Sequence, residues 1–239
     1  MSAITSLDVT RPVVHLCVDP QEQYIRYLSP ARQSSFPRDI RTFADALRPR
    51  IPTIWIAFGA SKAFRTHERL QPWPTENVGL RRQYRWCSYS LVNRLELTTV
   101  RPKQDEPILE KGSVDAFASS DLQDFLPNNA QLIFSGMNTT ACVFSTVFHA
   151  SLLKYDCYIV CDRLADGNLR PCNDMLSSYH RTKLEKMLFP VPSSVRFTHA
   201  QEILDHIETW PSHNFYRPKA SGLISRAKDA YRLLPLIAG

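Results

Sequence analysis

Apolar, β-branched runs recur along the chain with helical patterns between them. Val13-Val14-His15-Leu16-Cys17-Val18 reads as a buried strand, ended by the turn signal Asp19-Pro20. From Phe36 to Leu47 the residues Ile40, Phe43, Ala44 and Leu47 fall on one helical face. Thr53 to Phe58 is a second strand, closed by Gly59. Residues 60–105 break the rhythm. They are rich in Pro, Arg and aromatics, as functional loop regions often are.

The alternation then resumes. A short strand around Ile108-Leu109 precedes Lys111, and a Ser/Asp-capped helix follows with Leu122, Phe125 and Leu126 on one face. Gln131 to Ser135 is a strong strand, and Thr139 to Lys154 a helix that is apolar nearly all round. Tyr158 to Cys161 and Val195 to Phe197 predict further strands, with helices over 183–188 and 200–207. Such alternation argues for a three-layer α/β fold around a parallel, Rossmann-like sheet of about six strands. We expect one domain over 1–209. A C-terminal helical appendage over 210–239 carries an apolar stripe of Ala227, Tyr231 and Leu234. That stripe must cover its own core or meet a second subunit, so a homo-oligomer, dimer or tetramer, is expected.

Composition narrows the class without changing this picture. The chain has 239 residues, 44% hydrophobic and 22% charged, which excludes disorder, collagen and coiled coil. The net charge of +6 suits an anionic small molecule. Its densest basic stretch, Leu80 to Trp86, holds Arg81, Arg82, Arg85 and Trp86. It is too short for a nucleic-acid stripe and reads as a pocket rim. The six cysteines lie mostly in apolar runs and form no CxxC, which suits a reducing compartment. Neither a secretory signal nor a membrane-spanning run is visible, so a cytoplasmic protein without membrane partners is expected.

Open parallel sheets bind ligands outside the carboxyl ends of their strands. The residues expected there are Asp19, Gly59, Lys111, Gly136 and Asp162. Gly136-Met137-Asn138-Thr139-Thr140-Ala141-Cys142-Val143 joins a strand to a helix, so Cys142 falls near the helix start. A thiol there is expected to have a lowered pKa and to act as a nucleophile. A carboxylate at Asp19 could take its proton, and an ammonium at Lys111 could hold both groups.

These stretches carry a resemblance. Leu16 to Tyr24 (LCVDPQEQY), Glu110 to Leu126 (EKGSVDAFASSDLQDFL) and the Gly-x-x-Thr-x-x-Cys-Val block from Gly136 resemble the isochorismatase-like cysteine hydrolases. That superfamily includes nicotinamidases, N-carbamoylsarcosine amidases and ureidoacrylate amidohydrolases. The resemblance implies an Asp19–Lys111–Cys142 triad and a cis peptide between Met137 and Asn138. It also implies an oxyanion hole from the backbone N–H groups of Asn138 and Cys142. Tyr24 would be an aromatic pocket wall, and Gln21 is a further candidate for substrate binding with Arg81, Arg82, Arg85 and Trp86.

The second strand lacks the Asp-x-His pair that binds metal in nicotinamidases, so no metal and no other cofactor is expected. Amide-type C–N hydrolysis through a thioester is the leading expectation. Isochorismate-type vinyl-ether hydrolysis and a catalytically silent binding protein are the alternatives.

Overall fold

In a computed structural model, the described residues are 7–59, 85–86, 92–93, 95–167 and 177–210. Arg81, Arg82 and the expected helix within 210–239 lie outside them, Trp210 excepted. Arg85 and Trp86 are described as backbone only.

Seven strands form one sheet: β1 (Val13–Val18), β2 (Thr53–Phe58), β3 (Arg85–Trp86), β4 (Pro107–Lys111), β5 (Gln131–Met137), β6 (Asp156–Ala165) and β7 (Val195–Thr198). Their order is β3-β4-β2-β1-β5-β6-β7. The six from β4 to β7 are parallel, as the alternation predicts, while β3 adds an antiparallel edge against Ile108 and Pro107. The chain builds outward from β1 through β2 to β4, then returns to β1's other side as β5. Ligand crevices open at such a reversal, beyond the carboxyl ends of β1 and β5.

Period-two alternation sorts the two faces. Val14, Leu16 and Val18 point to one face with Leu132, Phe134 and Ile159. That side is covered by α3 (Ala116–Ser119), a 3₁₀ turn over Leu122–Phe125, α4 (Phe144–Leu152) and α5 (Ser177–Met187). Phe36, Ile40, Phe43, Ala44 and Leu47 of α2 (Pro30–Leu47) and Ile203 and Ile207 of α6 (Ala200–Glu208) cover the other. A short α1 (Glu22–Ile25) follows the first strand.

Several boundaries differ from the sequence reading. Helix α2 starts at Pro30, where a missing N–H does no harm, ahead of the stretch read from Phe36, and Pro37 lies in its interior. The stretch after Cys142 is not buried all round, since Phe148 and Leu152 of α4 are exposed. Strand β6 runs four residues past Cys161, which places Asp162 inside the strand. Its Oδ1 accepts the Ala200 N–H at 2.9 Å, so Asp162 ties down the start of α6 rather than lining the edge.

Gly136 has φ +115°, and a Cβ there would lie 2.0 Å from the Val18 carbonyl oxygen. Only glycine lets β5 pass so close to β1 at the crevice.

The sheet centre holds one polar relay. His15 is fully buried, its Nδ1 3.1 Å from Thr53 Oγ1 and its Nε2 2.8 Å from Ser135 Oγ. Burial, with the Arg48 charge adding, pushes its pKa down to about 3 from the ordinary 6.5. Below pH 6.5 the unfolded chain therefore takes up a proton that the folded chain refuses. Stability should rise with pH between about 3 and 6.5, by up to ~1.4 kcal/mol per unit from this group. Urea midpoints at pH 4, 5, 6 and 7 check this. His15→Gln should flatten the slope, and equal slopes in both proteins would remove His15 as its source.

Candidate active site

Three strand ends supply the site. Asp19 follows β1 in a left-handed conformation, φ +47°, which Asp tolerates better than most side chains. Its N–H donates to Ile56 O at 2.8 Å, and its own carbonyl accepts the Gln21 N–H at 2.7 Å. The turn thereby aims the carboxylate back over the sheet edge. Lys111 is the last residue of β4, two strands away. Its Nζ crosses the end of β2, 5.1 Å from the centre of the Phe58 ring, and ends 2.8 Å from Asp19 Oδ2. The same Nζ donates to Ser113 O at 2.8 Å.

Both charges are at most 1% exposed. Burial pushes the Asp19 pKa up, opposed by Lys111, by the Cys142 thiol and by the Phe58 backbone. Burial also works against the Lys111 charge, yet Asp19 and Cys142 hold the ammonium above its ordinary range.

Cys142 lies in a wide π-type turn, Thr139–Val143, that connects β5 to α4. Val143 N–H reaches back to Asn138 O at 3.1 Å, and Thr146 Oγ1 donates to Cys142 O at 2.7 Å. The Met137–Asn138 peptide is cis, as the resemblance implies. The thiol is buried and feels the charges of both Asp19 and Lys111. Its pKa is not lowered. Burial first, then the Asp19 charge, push it up to about 12, and Lys111 only partly offsets them. Solvent exclusion outweighs the helix-start effect expected from the sequence, and the resting group is a neutral thiol.

The other candidates divide. Gln21 is buried and its amide is fully engaged. Nε2 donates to Phe58 O at 3.1 Å and Leu95 O at 2.9 Å, while Oε1 accepts the Phe58 N–H at 2.7 Å. It straps β2 and the 95–99 segment to the first strand's turn. Tyr24, in α1, packs partly buried against the cluster that holds Met137 and Ala165. Arg85 and Trp86 are placed by their backbone at the far sheet edge, next to β4. Among the described residues no cluster of His, Cys, Asp and Glu could hold a metal ion.

Sequence reasoning missed Phe58, which floors the lysine. It also missed Thr139, Asp166 and His180 beneath the nucleophile turn. Thr139 Oγ1 lies 3.0 Å from Ala165 O and 2.9 Å from His180 Nδ1. Placing the end of β6 at Ala165 would have brought Asp166 to the ligand edge by the same rule that selected Asp19.

Comparisons with known proteins fit this geometry. The isochorismatase domain family matches residues 13–187, so the chain belongs to the isochorismatase family of hydrolases. Solved structures share the fold. An isochorismatase family protein from Burkholderia thailandensis is 17% identical with a TM-score of 0.58, covering 85% of this chain and 98% of its own. A cysteine hydrolase from Pseudomonas syringae pv. phaseolicola is 16% identical with a TM-score of 0.56, covering 85% and 95%. N-carbamoylsarcosine amidase from Thermoplasma acidophilum is 16% identical with a TM-score of 0.53, covering 81% and 98%. A comparison of the sequence with curated proteins returns no match.

The buried pair sets a stability test. Lys111→Met strands a buried carboxylate, which should cost about 3–5 kcal/mol. Asp19→Asn combined with Lys111→Met removes both charges and should recover most of that loss in urea melts at pH 7. Equal midpoints for single and double variants would show that the charges are not what couples these residues.

Proposed function

We propose that the protein hydrolyses an amide-type C–N bond of a small molecule, an amide, ureide or carbamoyl compound, through a thioester on Cys142. The observation that carries this reading is the buried Asp19–Lys111 pair, 2.8 Å apart, with the buried Cys142 thiol within electrostatic reach of both. Packing alone requires none of these three groups, and together they supply a base, a fixed cation and a nucleophile.

Because the thiol rests neutral, its proton moves to Asp19 as the sulfur closes on the carbonyl carbon. Negative charge develops on the carbonyl oxygen, and the backbone N–H groups of Asn138 and Cys142 are the donors assigned to it. The intermediate collapses by breaking the C–N bond, and the proton held by Asp19 passes to the leaving nitrogen. Water then attacks the thioester and gives a proton to Asp19. The C–S bond breaks, the acid or carbamate leaves, and the proton returns to the sulfur. Lys111 stays cationic throughout and holds the Asp19 carboxylate in place.

Tyr24 and Phe58 offer aromatic surface to the substrate. Arg81, Arg82, Arg85 and Trp86 enter the proposal on residue type alone, as receivers of an anionic or aromatic group.

An ammonia-release screen over amides, ureides and carbamoyl compounds tests the reading. Cys142→Ala should lower turnover roughly 10³-fold or more on any true substrate. A vinyl-ether substrate hydrolysed equally well by Cys142→Ala would replace the thioester reading with the isochorismate-type reaction.

The pH profile gives an independent check. Asp19 must be ionised to accept the thiol proton, so kcat/KM should rise with pH through the Asp19 pKa, which lies above the ordinary 3.8. Lys111→Met removes the cation that opposes this rise, so the acid limb should move to higher pH. A limb that stays in place assigns the titration to another group.

A further inference from the structure

The last residue of β6 and the two that follow it bond Asn138, Thr139 and Thr140, in the turn that carries Cys142. Ala165 O accepts from Thr139 Oγ1 at 3.0 Å. Asp166 Oδ2 accepts from Thr140 Oγ1 at 2.6 Å and from the Thr140 N–H at 3.2 Å. The Gly167 N–H donates to Asn138 Oδ1 at 3.0 Å. The register shift in the β5–β6 ladder between Phe134 and Gly136 makes this meeting possible. Beyond it Gly136 faces Leu164 and Met137 faces Ala165, so residues 165–167 arrive beside 138–140.

We propose that residues 165–167 form a strap for the nucleophile turn, with Asp166 as the positioning residue that aims the Asn138 and Cys142 amides at the reacting carbonyl. The proposal deepens the cysteine-hydrolase reading above and rests on it. Asp166 touches no reacting atom; it acts through Thr140, midway between the two amides. A carboxylate is an expensive group to bury, and Asp166 is 1% exposed. What the carboxylate provides is one oxygen that takes a short bond from the Thr140 hydroxyl, 2.6 Å, and a longer one from its N–H, 3.2 Å, so that side chain and backbone are tied to a single point. Stiffness at Thr140 matters because a hole for a developing oxyanion works only when its donors are fixed before the reaction. Thr139 is held from below by His180 Nδ1 at 2.9 Å, so each residue of the 138–140 stretch has a side-chain anchor.

Two reagents separate positioning from mere stability. Acylation of Cys142 by p-nitrophenyl acetate passes through an oxyanion, whereas alkylation by iodoacetamide displaces iodide at a saturated carbon and forms none. Both rates are read at Cys142 by peptide mass spectrometry on the full chain, with buried Cys157 and Cys161 of β6 as reporters of global opening. In Asp166→Ala, alkylation should become faster and acylation slower, so that the ratio of acylation to alkylation falls at least tenfold while Cys157 and Cys161 stay protected. Thr140→Val, which keeps the N–H bond and loses the hydroxyl one, should fall part of the way, and Thr140→Ser should restore the ratio. It also serves if Asp166→Ala fails to fold.

A ratio within threefold of wild type in Asp166→Ala, or in Thr140→Val where only that variant folds, overturns the strap. So does labelling of Cys157 and Cys161 in step with Cys142. If wild-type Cys142 is alkylated but never acylated, the hydrolase reading fails. The strap then stands on faster Cys142 alkylation in the variants with Cys157 and Cys161 protected, and falls if that rate is unchanged.

Discussion

The Asp19–Lys111 ion pair is the constraint around which the carboxyl edge of the sheet is built. Neither group is tolerable alone at that depth, because an unpaired buried charge costs several kcal/mol. Lys111 belongs to β4 and Asp19 to the turn after β1, with β2 between them. The lysine must therefore lie across the end of β2, and Phe58 gives it a ring to cross rather than a polar group that would compete for its charge. Gln21 then ties Phe58's backbone to the same turn that carries Asp19, which fixes the distance the lysine has to span. Gly136 completes the arrangement by letting β5 close on Val18, so that the next turn delivers Cys142 beside the pair.

Much of this was legible in the chain. The alternation of apolar strands and amphipathic helices specified the parallel sheet, and the rule that ligands bind beyond strand ends selected Asp19, Lys111 and the Gly136–Cys142 block. What it could not show was set by contacts distant in sequence. The end of β6 is fixed by the register shift against β5, and nothing in Asp162-Arg163-Leu164-Ala165 announces that the strand continues. The start of α2 was hidden because Pro37 carries the same local signal as a helix-initiating proline. Gln21 matched a family position, but whether its amide faces substrate or structure depends on Leu95, 74 residues away.

Two of the buried titratable systems differ in an instructive way. His15, between Thr53 and Ser135, has neutral partners only, so burial drives it to its uncharged form. Asp19 and Lys111 have each other, and the ammonium survives burial because its partner is an anion. At its carboxyl edge the sheet thus keeps a charge pair where two strand ends present opposite signs at contact distance. At its centre, where the adjacent strands β2, β1 and β5 meet, His15 is held by uncharged hydrogen bonding.

That contrast bears on how the nucleophile works. A thiol at the start of a helix invites the inference of a stored thiolate, and a lysine nearby strengthens it. Here the desolvation that works against each charge of the ion pair also falls on Cys142, and Asp19 is close enough to repel a thiolate. Holding both carboxylate and thiolate against one ammonium would place two anions on one cation in a site closed to water. Burial and the Asp19 charge both favour keeping the proton on sulfur. In the proposed reaction, reactivity would depend on a proton transfer timed with attack, for which distances among Asp19, Cys142 and the proposed oxyanion donors matter more than the thiol's own acidity. A site of that kind would gain from rigid backing behind the turn that carries Cys142, which is the role proposed for the hydrogen bonds of residues 165–167 and His180.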